Sequence, residues 1–168
     1  MSYERYTRLL CALVLAFALP VAGAQQKPPS VEFKYEIEAA RKLIDKERRV
    51  VIAGEMNLTD AERKEFWELY ADYAAEMSEV SKDYANQITR YADNFDNMTD
   101  AVAKELLEGY FRVRRNRLKI REKYRRRYAK VLPVIKVARF YQVESKLDAV
   151  YDFQLASQIP LIEDPRQN

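Results

Sequence analysis

The sequence predicts an all-α protein whose helices form an elongated antiparallel hairpin or bundle. Glycine is scarce, and only Gly54 and Gly109 lie beyond residue 24, which argues against a β fold with many tight turns. Apolar residues recur at alternating steps of four and three after residue 65, as they do in a coiled coil. We therefore expect about four helices in a single domain, residues 31–160.

The first helix is expected to begin after a cap at Ser30 and to run to about Ala53. Residues 25–30 are interpreted as a flexible lead-in to this helix. Gly54 is placed to end the helix in the left-handed conformation that glycine adopts without steric cost.

The second helix has a sharply defined start. Thr59 is a good N-cap, and Glu62 three residues later completes a capping box. A helix from Asp60 to about Asp93 would be roughly 50 Å long, which suggests a hairpin or a dimer rather than a compact globule. Its predicted seam comprises Phe66, Tyr70, Tyr73, Met77, Val80 and Tyr84, followed after a one-residue slip by Ile88, Tyr91 and Phe95.

The start of the third helix repeats that of the second. Thr99 and Asp100 stand in the sequence Asn-Met-Thr-Asp-Ala, which matches Asn-Leu-Thr-Asp-Ala at 57–61. Both segments indicate helix caps rather than chemistry. The third helix carries an apolar stripe, interrupted by Arg117, that comprises Leu106, Tyr110, Val113, Ile120, Tyr124 and Val131.

The fourth helix is predicted from about Val134 to Ser157, because Pro133 ends or kinks the helix before it and Pro160 stops it. Its apolar residues are Val137, Phe140, Leu147, Val150 and Tyr151. Residues 159–162 are expected to pack apolar side chains against the end of the bundle. Residues 161–168 are interpreted as a C-terminal tail.

The first 24 residues have the three parts of a cleavable export signal. Arg5 and Arg8 supply positive charge, residues 9–19 are apolar, and Ala22-Gly23-Ala24 offers the small residues that signal peptidase requires. The apolar run is about half the length of a membrane-spanning helix. We therefore expect a periplasmic protein that begins at Gln25.

Few residue types remain in the mature chain that could support catalysis or bind a metal. The one cysteine, Cys11, lies in the predicted signal, and the sequence contains no histidine. The mature protein then has no disulfide. It also has no thiolate and no imidazole, which are the ligands that transition metals prefer. We expect neither a cofactor nor a metal, and we expect that the protein is not an enzyme.

Charge is unevenly distributed along the chain. Residues 55–108 contain 14 acidic and 5 basic side chains, whereas residues 112–139 contain 13 basic side chains and one acidic side chain. A basic helix with interleaved tyrosines is typical of nucleic-acid binding, but export argues against nucleic acid as a partner.

Two interpretations of the basic helix remain open. In an antiparallel hairpin with a turn at 96–98, residues whose numbers sum to about 195 face each other, which pairs Arg112 with Asp83, Lys119 with Glu76, Lys123 with Asp72, and Lys130 with Glu65. Alternatively, surplus positive charge forms a surface for clients or anions. The candidate residues of that surface are Arg114, Arg117, Arg121, Arg125, Tyr124 and Tyr128.

The two capping segments carry a family resemblance. Leu58-Thr59-Asp60-Ala61-Glu62 and Met98-Thr99-Asp100-Ala101-Val102 resemble the LTxxQ motif of the Spy/CpxP family of bacterial periplasmic proteins, with Glu62 and Val102 in place of the glutamine. The resemblance implies a thin, curved homodimer of four-helix protomers. It also implies a concave basic and apolar surface that holds unfolded clients or damps an envelope-stress sensor.

Together these observations predict an exported, chaperone-like or envelope-stress accessory protein. Its expected partners are unfolded or membrane-associated proteins, a stress-sensor domain, and a second copy of the chain. The alternative is an envelope-associated structural module that binds anionic lipid or lipopolysaccharide through the basic helix.

Overall fold

The structure is a computed structural model that describes residues 46–156 and 159–162. Within these residues the chain forms four helices and no β-strand: α1 at 46–55, α2 at Asp60–Asp93, α3 at Asp100–Tyr128 and α4 at Val134–Ala156. A short 3-10 turn, Phe95–Asn97, links α2 to α3. The all-α prediction is confirmed. None of the described helices is both long and apolar enough to cross a membrane.

Several predictions for the N-terminal part lie outside the described residues. These are the signal segment at 1–24, the lead-in at 25–30 and the start of the first helix. The end of this helix differs from the prediction, because α1 continues through Gly54 to residue 55 and no described glycine has a positive φ. The left-handed position is instead Asn57, with a φ of 45°. Asparagine adopts this conformation more readily than most residues because its short side chain can hydrogen-bond locally.

The capping box that begins α2 is confirmed. The Thr59 side-chain oxygen accepts a hydrogen bond from the Glu62 backbone N–H at 3.3 Å, and the Thr59 N–H donates to the Glu62 carboxylate at 2.8 Å. At the start of α3 the Thr99 oxygen accepts from the Val102 N–H at 3.3 Å. Valine offers no acceptor in return, so α3 has a single side-chain cap bond.

The predicted seam of α2 faces the core. The buried residues of α2 are Phe66, Tyr70, Tyr73, Val80, Ile88 and Ala92, and all of these except Ala92 belong to the predicted seam. They recur mostly at steps of three and four, which keeps them on one side of the helix. α2 and α3 form an antiparallel hairpin, and Val113, Tyr124 and Tyr128 of α3 are buried in it.

The centre of the core is a group of aromatic rings that α4 closes with Phe140. The rings of Phe66 and Tyr128 lie 5.6 and 4.7 Å from that of Phe140, measured between centroids. Ile52 and Met56 bring the end of α1 into the same core. These contacts fix α1, α2, α3 and α4 relative to one another at this end of the hairpin.

The C-terminal segment is held by its backbone rather than by its side chains. The Tyr91 hydroxyl donates to the Pro160 carbonyl at 2.7 Å, whereas Leu161 and Ile162 are exposed. The prediction that residues 159–162 pack their apolar side chains against the bundle is therefore wrong for these two residues. A single carbonyl contact positions the segment without requiring burial of its side chains.

Candidate functional site

The basic residues of α3 point in three directions, toward α2, toward α4 and toward solvent. On the α2 side, Arg112 contacts Asp83 at 3.2 Å as predicted. Lys123 contacts Glu76 at 2.6 Å and Arg127 contacts Asp72 at 3.1 Å. The predicted pairs of Lys119 with Glu76 and of Lys123 with Asp72 are therefore wrong by one helical turn.

Asp72 and Glu76 are four residues apart and are therefore neighbours on one side of α2, so the numbering around the turn alone did not decide which of them each basic residue contacts. In the part of the chain that the structure describes, Lys119 and Lys130 have no carboxylate partner, and both are exposed.

Two tyrosines of the predicted surface are buried. Tyr124 and Tyr128 are at most 1% exposed, so neither belongs to an accessible binding face. The Tyr124 hydroxyl donates to Glu76 at 2.8 Å; burial, together with this carboxylate, raises the pKa of Tyr124 to about 12. Their spacing of four residues places both on the core stripe, which is the physical reason for the correction.

Arg117 and Arg121 are also turned inward, toward α4. Arg117 lies 3.7 Å from both Asp148 and Asp152, and Arg121 forms an ion pair with Asp148. The Tyr141 hydroxyl donates to the Arg121 carbonyl at 2.8 Å. Both arginines are therefore part of the contact between α3 and α4 rather than of a free surface.

Arg114 and Arg125 remain exposed, as the surface interpretation requires. The Arg114 guanidinium lies 4.6 Å from the centroid of the Tyr110 ring, a cation–π contact. Among the described residues, Arg125 has no ion-pair partner. Arg115, Lys119 and Arg126 extend the exposed positive charge along the same helix.

Three large apolar side chains lie beside these arginines. Leu107, Phe111 and Leu118 are 58%, 48% and 58% exposed, and steps of four and seven residues place them on one side of α3. The outer face of α3 is therefore defined here as Leu107, Phe111, Arg114, Leu118 and Arg125. Its apolar part was not predicted from the sequence, although a second stripe with helical spacing outside the core stripe was a usable signal.

Polar groups also form a buried charge network between α1, α3 and α4, which comprises Arg48, Arg117, Arg121, Glu144, Asp148 and Asp152. Arg48 contacts Glu144 at 3.0 Å and Asp148 at 2.9 Å. Tyr73 of α2 donates its hydroxyl hydrogen to the same Glu144 oxygen at 2.7 Å. The side chain of Glu144 is 0% exposed.

The network favours the charged forms of Asp148 and Arg48. Burial alone would raise the pKa of Asp148, but Arg48 and Arg121, followed by Arg117, outweigh it and lower that pKa. Burial alone would lower the pKa of Arg48, but Glu144 and Asp148 together raise it. Burial and the adjacent Glu144 raise the pKa of Tyr73, so its hydroxyl stays protonated as a donor.

Glu62, one of the predicted cap residues, joins the start of α2 to α4. Its carboxylate accepts a hydrogen bond from Lys136. This bond and that from the Thr59 backbone N–H lower the pKa of Glu62 from 4.5 to about 2. Asp100, the other predicted acidic cap residue, lies in the first turn of α3, where the helix dipole favours negative charge.

Glu62 makes the stability of the protein depend on pH. Because its pKa is lower in the folded state, its contribution is complete above about pH 4.5 and is lost as the pH falls toward 2. We expect the free energy of unfolding, measured by urea titration, to fall as the pH is lowered from about 4.5 toward 2. Glu62→Gln should show a smaller fall, because glutamine does not titrate. An equal fall in both proteins would contradict the assignment.

The described residues contain no group of three or more His, Cys, Asp or Glu side chains arranged to hold a metal ion. Comparison with known proteins finds no matching family model, no matching curated protein and no matching solved structure.

Proposed function

We propose that the protein is an exported, non-catalytic binding protein that holds non-native polypeptides on the outer face of α3. The observation that carries this proposal is the combination of exposed apolar side chains and unpaired arginine on one side of a packed helix. Non-native chains expose the apolar side chains that a folded protein buries, and such groups bind apolar surface by the hydrophobic effect.

The apolar contribution comes from Leu107, Phe111 and Leu118. Isolated exposed apolar residues are common on protein surfaces, but these three form one stripe. None of them contributes to the core of the described domain. They are therefore available to bind the side chains of another polypeptide.

The electrostatic contribution comes from Arg114 and Arg125, with Arg115, Lys119 and Arg126 beside them. The positive electrostatic potential of these residues attracts acidic segments of a client and speeds association, and added salt weakens this attraction. Arginine also covers apolar surface with its methylene groups while its guanidinium stays hydrated. The face can therefore hold segments of mixed apolar and acidic composition without one specific sequence.

The opposite sides of α3 keep this face in place. Ion pairs with α2 and the buried charge network with α4 fix the orientation of the helix. A face that is already ordered loses little conformational entropy on binding.

The test is suppression of aggregation of a chemically denatured acidic client, followed by light scattering. The variant Arg114→Glu/Arg125→Glu should lose suppression, because it replaces attraction by repulsion. Lys64→Glu/Lys82→Glu makes the same change in net charge on exposed residues of α2 and should retain it. Equal activity of both variants and the wild type would overturn the proposal.

Binding to a membrane surface is the alternative outcome of this experiment. Wild-type protein that binds vesicles of anionic phospholipid in a salt-sensitive manner, without slowing client aggregation, would identify α3 as a lipid-binding helix. Helicity and thermal melting should match among all variants, since every substituted residue is exposed. This control distinguishes a variant that has lost the binding surface from one that has lost the fold.

A further inference from the structure

Three consecutive apolar residues are exposed where the chain turns from α3 into α4. Pro133 is exposed, and Val134 and Ile135 after it are 76% and 80% exposed, more than any apolar residue on the outer face of α3. A run of exposed apolar residues costs free energy in water and usually marks a functional surface. The α3–α4 tip is defined here as Arg126, Lys130, Pro133, Val134 and Ile135.

The exposure of this run does not come from a loosely held turn. Leu132, directly before it, is 5% exposed and belongs to the aromatic core. Directly after it, the Lys136 side chain donates a hydrogen bond to the Asn57 carbonyl at 3.2 Å. The run is therefore anchored on both sides while its own apolar side chains stay in contact with water.

Positive charge surrounds the run. Residues 125–139 contain six basic side chains and no acidic one, and the first turn of α4 likewise has no acidic residue. Three of the six form ion pairs with carboxylates of α1 or α2, namely Arg127, Lys136 and Arg139. Arg125, Arg126 and Lys130 are exposed and have no carboxylate partner among the described residues. The exposed Glu65 of α2 offsets at most one of these charges, so the tip is positively charged.

These features fit the surface of an anionic bilayer better than they fit a folded protein. A bilayer accepts apolar side chains from a turn without a complementary pocket, and basic residues beside them contact the lipid phosphates. The cores of protein–protein interfaces are instead enriched in aromatic residues, and the tip contains none.

We propose that the α3–α4 tip docks the protein on the surface of an anionic phospholipid bilayer. Val134 and Ile135 enter the boundary between head groups and acyl chains, while Arg126 and Lys130 contact phosphate groups. The tip shares no residue with the outer face of α3, so this proposal and that of client binding do not depend on each other.

The test is co-sedimentation of the full-length mature protein with vesicles of phosphatidylcholine and phosphatidylglycerol. Val134→Ser/Ile135→Ser should lower the affinity at least about tenfold, because it removes the apolar side chains that enter the bilayer. Val50→Ser/Ile162→Ser makes the same two substitutions at exposed positions outside the tip and should bind as the wild type does. The melting temperatures should match, since all four residues are exposed.

Arg126→Gln/Lys130→Gln tests the electrostatic contribution, and should weaken binding at low salt and reduce its salt dependence. Wild-type binding no stronger than that of Val134→Ser/Ile135→Ser would overturn the proposal. Binding that is lost in Arg114→Glu/Arg125→Glu but kept in Val134→Ser/Ile135→Ser would also overturn it, because the membrane contact would then lie on the outer face of α3. If Val134→Ser/Ile135→Ser lost client suppression but kept vesicle binding, the tip would be a contact for protein rather than for lipid.

Discussion

Replacement of Arg48 by methionine is expected to lower the free energy of unfolding by about 3–5 kcal/mol, because it leaves a buried carboxylate without its cation. Arg48 contacts both Glu144 and Asp148, and only 15% of its side chain is exposed. Asp148 keeps Arg117 and Arg121 in the variant, but Glu144 keeps only the hydroxyl of Tyr73. Chemical denaturation measures the loss directly.

Arg139→Met is the matched control. Arg139 also joins α4 to α1, through Glu55, but its side chain is 46% exposed. Exposed ion pairs contribute about 0–1 kcal/mol, so this variant should lose little. The double variant Arg48→Met/Glu144→Gln should recover part of the lost stability, because it removes the stranded charge as well. A loss below about 1 kcal/mol for Arg48→Met would contradict the description of the network as buried and stabilising.

Phe140→Ala is expected to cost about 3–5 kcal/mol, since it deletes a fully buried ring and leaves a cavity. Phe140 is 0% exposed. Its ring contacts those of Phe66, Tyr70, Tyr73 and Tyr128, with centroid separations between 4.7 and 6.3 Å. The substitution therefore removes the contact through which α4 closes the core formed by α2 and α3.

Phe153→Ala makes the same chemical change on the same helix. Phe153 is 71% exposed, and substitutions at such positions usually change stability by less than about 0.5 kcal/mol. Thermal or urea unfolding of Phe140→Ala and Phe153→Ala measures the same substitution at a buried position and at an exposed position. Equal losses would contradict the placement of the core.

The helices and their starts could be predicted from the sequence because the signals are local. Thr59 and Glu62 form their capping box within one turn, and the seam from Phe66 to Ile88 depends only on helical spacing. The end of α1 was predicted two residues too early. Gly54 and Asn57 both tolerate the left-handed conformation, and composition alone did not decide between them.

The pairing of side chains was harder to predict, because it depends on packing between helices. The correct hairpin gave the correct partner for Arg112, but Lys123 contacts Glu76 rather than Asp72, which lies one turn away on α2. The buried charge network was missed altogether. Its signal was a pair of complementary ladders at steps of four, Arg117 and Arg121 on α3 and Glu144, Asp148 and Asp152 on α4.

The sequence predicted which helix carries the candidate surface, but it did not predict which side chains of that helix are exposed. Arg114 and Arg125 are exposed, whereas Arg117, Arg121, Tyr124 and Tyr128 point inward. A basic run along a helix distributes its side chains around the whole circumference, so only the tertiary partners determine which of them remain accessible. Carboxylates on α4 attract two of the four arginines away from solvent.

The most direct test of the proposed function is site-specific photo-cross-linking to a denatured acidic client. A photoreactive residue at Leu118, on the outer face of α3, should cross-link to the client, and added salt should reduce the yield because the flanking arginines contribute to binding. The same residue at Ala71, an exposed position on α2, should give little product. Equal cross-linking at both positions, or cross-linking at Ala71 alone, would contradict the assignment of client binding to α3.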